Sequence, residues 1–246
     1  MNRPRSASLA VSIGLVAAAC ATAAARSRID YAAILADPIR PEADRVRDSD
    51  RKPAEIVAFS GVKPGDKVAE LAPGGGYFTR ILSGIVGPTG TLYPVTRQAS
   101  PALQAIADAR PNVKLAVGPT GTIPVPEPVD VVWTTLNYHD FKNVKLGDSD
   151  AALAVDAAAF KALKPGGIYF IVDHEAGKGV GASVTATLHR IESALVKREV
   201  EAAGFRLEAT SPLLRHPADD HSQKVQETGI RGKTDQFVLR FRKPRR

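Results

Sequence analysis

The sequence predicts an α/β protein built on a doubly wound, mostly parallel seven-stranded sheet with an antiparallel last strand. Three observations carry this reading. From Lys67 onward, short apolar runs alternate with stretches of helical periodicity, the pattern of successive βαβ units. The last two apolar runs follow one another with no helix between them, which makes them an antiparallel pair. The chain has 246 residues, 44% of them hydrophobic and 24% charged, enough for one such domain with a core that needs no covalent staple.

Residues 1–25 stand apart as a signal peptide. Arg3 and Arg5 precede an apolar stretch from Leu9 to Ala19, and "ATAAARS" places cleavage after Ala25. The stretch is shorter than the roughly 20 residues that span a bilayer, so it predicts export, periplasmic or secreted, over a retained anchor. Cys20, in "VAAAC", also resembles a lipoprotein box, with Ala17 where leucine is usual. A lipid on Cys20 is the only membrane attachment the sequence offers. Cleavage after Ala25 instead removes the single cysteine, excluding disulfides, thiolate metal sites and a cysteine nucleophile.

Residues 26–52 form a polar arm in which both signs of charge alternate, either extended or a short helix capping the domain. The domain proper is expected over 53–246. "PAEIVAFSG" opens it as a short helix, with Pro53 at its start and Gly61 just past its end. Strands are expected at Lys67–Leu71, Gly90–Val95, Val113–Val117, Val129–Thr135, Gly167–Val172, Phe205–Leu214 and Asp235–Phe241. Helices are expected at Tyr77–Ile85, Pro101–Ala109, Asp150–Leu163 and Ala194–Ala203. The connection "RHPADDHSQKVQETGIRGKT" is too long for a tight turn and reads as a functional or disordered loop.

Net charge is +7, or +5 without Arg3 and Arg5, and part of it sits in the tail "RFRKPRR". No aromatic-interleaved basic stripe or nucleic-acid module accompanies it, so no nucleic-acid partner is expected.

The stretch "KVAELAPGGGYFTR" ends a strand in Glu70 and turns through three glycines into a helix, putting bare amides and a positive helix end at the carboxyl edge of the sheet. A dinucleotide loop would read G-x-G-x-x-G, but no glycine occupies the third place, and no G-K-[ST] follows for a triphosphate. The spacing present is acid-x-small-x-Gly-x-Gly, formed by Glu70, Ala72, Gly74 and Gly76, with Gly75 between the glycines.

That spacing resembles the first motif of the Rossmann-like, class I S-adenosylmethionine-dependent methyltransferases. "PVDVVWTTLNYHD" is similar to their fourth-strand motif, and "FKALKPGGIYFIVDHE" to the helix, turn and fifth strand that follow. Together with "DRKPAEIVAFSGVKPG", "HRIESALVKREVEAAGF" and "RGKTDQFVL", the motifs resemble a bacterial subfamily of exported predicted methyltransferases. The resemblance implies S-adenosyl-L-methionine as cofactor, bound by Glu70, Ala72, Gly74, Gly75, Gly76, Thr96 and Asn137. Two departures stand out: Thr96 replaces the second-strand acid that holds the ribose hydroxyls, and "LAVGPTGT" lacks the acid near the adenine amine. Losing charge-assisted hydrogen bonds costs about 1.5–3 kcal/mol, roughly tenfold to a hundredfold in affinity.

Methyl transfer requires alignment of donor and acceptor, and a base where the acceptor is a hydroxyl or amine. In "NYHD" His139 reads as that base with Asp140 orienting it and Tyr138 lining the acceptor, or else the set caps the strand structurally. "DHE", Asp173 to Glu175, offers His174 as a second base or a solvated loop start, while His189 reads as packing near a helix start. "HPADDH", with His216, Asp219, Asp220 and His221, is either a polar lid or, joined by His139 or His174, a zinc shell, and no metal ligand is assigned. "RGKTD" reads as a solvated turn, or one closing over a substrate anion. No G-x-S-x-G elbow is present, which disfavours a hydrolase. The function expected is methyl transfer to a small-molecule acceptor; the alternatives are an exported, non-catalytic ligand-binding protein and a metal-assisted enzyme.

Overall fold

The computed structural model describes residues 29–245. The leader and Cys20, and with them cleavage and lipidation, lie outside the described residues.

The arm is helical and folded onto the domain. α1 (Tyr31–Leu35), α2 (Glu42–Arg45) and α3 (Asp48–Arg51) lead directly into α4 (Pro53–Ser60), which starts on Pro53 and ends on Gly61 in the left-handed region. Arg40 is fully buried and donates to both oxygens of Asp48, and Asp48 also accepts the Tyr77 hydroxyl at 2.6 Å. Arg80 donates to Asp44 at 2.9 Å.

β1 (Lys67–Leu71), α5 (Tyr77–Val86), β2 (Thr91–Thr96), α6 (Pro101–Ala109) and β3 (Ala116–Val117) make the first half of the domain. Ser100 caps α6 by accepting from the amide of Leu103, and Pro101 fills its first position. β3 is shorter than expected, because Val113 meets Leu92 only as an isolated bridge. β4 (Val129–Thr135) is followed by the short helix α7 (Tyr138–Lys142) and the small hairpin β5 (Lys145–Leu146) and β6 (Ser149–Asp150). Then come α8 (Ala151–Ala162), β7 (Leu163–His174), α9 (Thr185–Leu188), α10 (Ser193–Ala202), β8 (Arg206–Ser211) and β9 (Gln236–Arg242). α7, α9 and the small hairpin were not anticipated; each is too short to show a period.

The main sheet has seven strands in the order β3-β2-β1-β4-β7-β9-β8. β1, β2, β3, β4 and β7 pair in parallel, and β9 runs antiparallel between β7 and β8. The order turns back at the β1–β4 boundary, the switch point where open α/β sheets bind ligands.

Alternate residues of the central strands enter two cores. On β7, Tyr169 and Ile171 pack with α8 and α10, while Ile168, Phe170 and Val172 pack with α4, α5 and α6. Trp133, fully buried, lies 5.0 Å from the Phe78 ring and 4.4 Å from the Phe170 ring, centroid to centroid. Trp133→Ala is expected to cost about 3–5 kcal/mol, read as a lowered urea midpoint with an unchanged m-value. A loss below about 1 kcal/mol would mean that this layer is not the core joining α5 to the sheet.

Candidate functional site

The switch point is built from strained and bare backbone. After Glu70 and Leu71 the chain turns through Ala72 at φ 47°, Gly74 at φ 56° and Gly76 at φ 83°. Gly76 is a packing requirement, since a Cβ there would lie 2.4 Å from Ile106 Cδ1. Gly74 and Gly75 are different: a Cβ on either would meet nothing within 4 Å. Their missing side chains leave space for something other than the protein.

That space is a cleft of about 270 Å³ lined by Glu70, Gly74, Gly75, Tyr77, Asn137 and the arm residues Asp44, Arg47 and Arg51. A second, more apolar cleft of about 230 Å³ adjoins it at Ala72 and carries Leu71, Val95, Thr96, Ile123 and Phe141. Two larger hollows, of about 550 and 460 Å³, lie along Gly121–Pro128 and beside Gly87, Gly90 and Thr91 ahead of β2; the first shares Gly121, Thr122 and Ile123 with the apolar cleft.

Each expected cofactor residue except Gly76 borders one of the two clefts. Glu70 is only 2% exposed and accepts the Thr79 hydroxyl at 2.6 Å. Burial, offset only in part by Thr79, Arg51 and Arg80, pushes its carboxyl up to about 7. Asn137 donates its amide to the carbonyls of Ala72 (3.1 Å) and Thr135 (2.6 Å), tying the β4 turn to the glycine loop. Thr96 donates to the Gln98 carbonyl at 3.0 Å and keeps its oxygen lone pairs.

Arg51 has no counterpart in the sequence expectations. Its guanidinium stacks on the rings of Tyr77 (4.3 Å) and Phe78 (5.3 Å), and it has no hydrogen bond or ion pair among the described residues. Burial and the Arg47 charge pull it down to about 10, so it stays cationic at neutral pH. Its charge, without a partner among the described residues, faces the same cleft as Gly74 and Gly75. Within the sequence, the alternation of charge and the motif "DRKPAEIVAFSGVKPG", which contains Arg51, were the hints of it.

Of the three residues expected for catalysis, the structure keeps His139 and Asp140 together and turns Tyr138 away. Tyr138 is fully buried with its hydroxyl 2.7 Å from Asp156, facing α8, so it does not line an acceptor site. Leu136, at φ 60°, turns the chain so that Tyr138 enters the core while His139 packs under the strand ends. His139 is 3% exposed; its Nδ1 lies 2.8 Å from Asp173 Oδ1, and its backbone amide donates to Asp173 Oδ2 at 2.8 Å. Asp140 Oδ1 lies 3.3 Å from His139 Nε2. Burial opposes a charge there, but Asp173 and Asp140 outweigh it and lift the imidazole to about 10. Both ring nitrogens of His139 therefore face carboxylates, which favours the protonated form and weighs against the general-base role expected of it.

His174 is buried, its Nδ1 2.8 Å from the Thr234 hydroxyl, and burial lowers it to about 4. His189, expected to pack at a helix start, instead caps the end of α9 at φ 54° and brings Nδ1 to 3.5 Å from Asp140 Oδ1. The long loop is held by ion pairs rather than arranged as a metal shell. Asp219 is bidentate to the buried Arg190 at 2.8 and 3.1 Å, Asp220 accepts from Ser222, and Asp235 is shared by Arg215 and His221. Asp235 of "RGKTD" therefore anchors the loop and does not face a substrate.

Neither a protein-family model nor a curated protein sequence matches the chain. Solved structures do. A SAM-dependent methyltransferase from Aquifex aeolicus is 19% identical with a TM-score of 0.59, over 88% of this chain and 100% of that one. A putative methyltransferase from Bacillus halodurans is 17% identical with a TM-score of 0.57, over 79% and 99%. A possible exported protein from Bordetella parapertussis is 16% identical with a TM-score of 0.51, over 79% and 67%. These likenesses establish the fold as the Rossmann-like methyltransferase fold.

The buried Glu70 makes a stability prediction with a definite sign. Its folded value, about 7, lies above the ordinary 4.5, so the folded state holds the proton more tightly than the unfolded one. Its ionisation penalty is absent below about pH 4.5 and grows as pH rises toward 7. Glu70→Gln keeps an acceptor for Thr79 and removes the penalty, and should raise the melting temperature of the ligand-free protein at pH 8 by a few degrees, with no gain at pH 4. An equal change at both pH values would show that Glu70 is not the titrating group.

Proposed function

We propose that the protein is an S-adenosyl-L-methionine-dependent methyltransferase acting on a small-molecule acceptor. The observation that carries this is the cleft at the β1–β4 switch point, where unfilled space over Gly74 and Gly75 meets the unpaired Arg51. The fold supports the same reading. When bound, S-adenosylmethionine supplies an electrophilic methyl group on a sulfonium.

The chain's own residues divide the remaining work. Arg51 would hold the α-carboxylate, and the loop at Gly74 and Gly75 would admit the amino-acid moiety against bare backbone. Glu70, ionised by an adjacent ammonium or sulfonium charge, would complement the cation. The apolar cleft of Leu71, Val95, Ile123 and Phe141 fits a nucleobase, and Thr96 stands at its border to accept from a ribose hydroxyl. The acceptor would meet the methyl group at the carboxyl edge beyond Asn137, where alignment supplies most of the rate.

A non-catalytic binding protein is the second reading, favoured by Thr96 in place of an acid and by the clamped His139. Export is proposed on the leader residues Arg3, Arg5 and Leu9–Ala19, with the Bordetella neighbour's description as support. Cell fractionation tests it: retention of the full-length chain in the cytoplasm would exclude export.

Calorimetry with S-adenosylmethionine and S-adenosylhomocysteine tests the cofactor assignment. Both ligands should bind, and Arg51→Met should weaken both by about tenfold to a hundredfold, the worth of a charge-assisted hydrogen bond. Gly75→Leu should abolish binding without lowering the melting temperature, since the added side chain enters open space. No heat of binding at millimolar ligand would sink the methyltransferase reading. Tight binding with no methyl transferred to any component of a small-molecule extract would favour the non-catalytic one.

A further inference from the structure

We propose that His139, Asp140 and His189 form a binding site for a divalent transition-metal ion of the zinc class. It is independent of the methyltransferase reading, because metal binding can be measured without the cofactor.

The three donor atoms, His139 Nε2, Asp140 Oδ1 and His189 Nδ1, come from two distant segments and all lie within 4.8 Å of one another. Asp140 Oδ1 is 3.3 Å from the first and 3.5 Å from the second. Zinc binds imidazole nitrogen and carboxylate oxygen at roughly 2.0–2.2 Å, and a tetrahedron of that size has edges of about 3.3–3.6 Å. Two edges of the site therefore already have coordination length. The third edge, between the two ring nitrogens, lies within 4.8 Å, and the His189 ring stands edge-on to His139, 5.3 Å between centroids and 84° between planes.

The surroundings hold the donors in place. Asp173 receives both the Nδ1 side of the His139 ring and the His139 amide, which aims Nε2 at the cluster. A carboxylate behind a ligating imidazole is the usual outer support of a metal site, and the ion would displace the Nε2 proton that Asp140 otherwise favours, releasing it to solvent. His189 is kept at φ 54°, a conformation that costs a non-glycine residue on the order of 1–2 kcal/mol. The next residue, Arg190, fixes it: fully buried, it donates to the carbonyls of Gln223 and Glu175 and to both oxygens of Asp219. An ion pair with Asp140 would explain one histidine at that oxygen; it does not explain a second, strained one.

The ligand set points to the class of ion. Two imidazoles and one carboxylate suit zinc and its later first-row neighbours, not calcium or magnesium. Three protein ligands leave a position open, and the 50% exposure of the Asp140 side chain gives it a route to solvent. His139 follows the cleft residue Asn137 by two positions, so the ion would stand at the same carboxyl edge as the proposed cofactor.

The test is direct titration of tag-free, chelator-stripped protein with Zn²⁺ against a chromophoric chelator, and with Co²⁺ followed by visible absorption. One equivalent of each should bind, and cobalt should give the intense bands of a tetrahedral site. His189→Asn keeps a residue that tolerates the left-handed backbone, and Asp140→Asn changes a half-exposed group. Each should weaken Zn²⁺ binding by more than the roughly 10- to 100-fold that an outer partner is worth, with unchanged circular dichroism and melting temperature. Failure to bind stoichiometric zinc would overturn the proposal. So would retention of full affinity in both variants, which would place the ion elsewhere.

Discussion

Strands buried on both faces cannot carry polar side chains at low cost until they end, and this constraint arranges everything else in the protein. β1, β4 and β7 lie between two cores, and their apolar residues divide alternately between them. Polar chemistry is therefore displaced to the carboxyl ends, where Glu70, Asn137 and Asp173 appear within one layer. The parallel register brings those ends together: Glu70 lies opposite Trp133, Leu71 opposite Thr134, and Thr135 opposite Val172. Glu70 stands just inside the apolar zone, so its carboxyl is raised where a solvated one would not be.

The arm extends this edge rather than merely covering it. Arg40 is taken out of water only because Asp48 and the Leu35 carbonyl receive its donors, and Asp48 is in turn bonded to Tyr77 at the start of α5. Removing Asp48 would leave the buried Arg40 charge short of its partner, so the pair ties the arm to the start of α5. The consequence falls three residues later, where α3 ends in Arg51 and presents its guanidinium to the cleft. The position of the Arg51 charge is thus set by contacts made well outside the glycine loop.

Much of this was legible in the sequence. β1, β4 and α6 have the bounds that alternation, proline and capping residues indicate, and the spacing at Glu70, Ala72, Gly74 and Gly76 located the switch point. What was not legible depends on single dihedral angles and on approaches between distant segments. Leu136 in the left-handed region decides that Tyr138 enters the core and His139 packs beneath Asp173, and no spacing rule encodes that turn. His189 reaches Asp140 only because Arg190 is anchored across the long loop to Asp219. The same loop's histidines and carboxylates read as a polar lid or as ligands in a linear reading, but Asp219 is taken by the buried Arg190, Asp220 by Ser222 and His221 by Asp235.

The weight of Thr96 can be judged against these contacts. Replacing the second-strand acid removes charge-assisted hydrogen bonds worth about 1.5–3 kcal/mol. On the proposed reading Arg51 supplies interactions of the same kind and size at the other end of the ligand, and the apolar cleft adds burial at about 25 cal/mol per Å² of apolar area removed from water. A nucleobase hiding on the order of 100 Å² gains about 2.5 kcal/mol by that rate. The retained contributions are thus each comparable to the loss, which shifts the balance of the grip from the ribose toward the carboxylate and the base. On that reading the site binds more weakly than one with the acid and still holds its ligand.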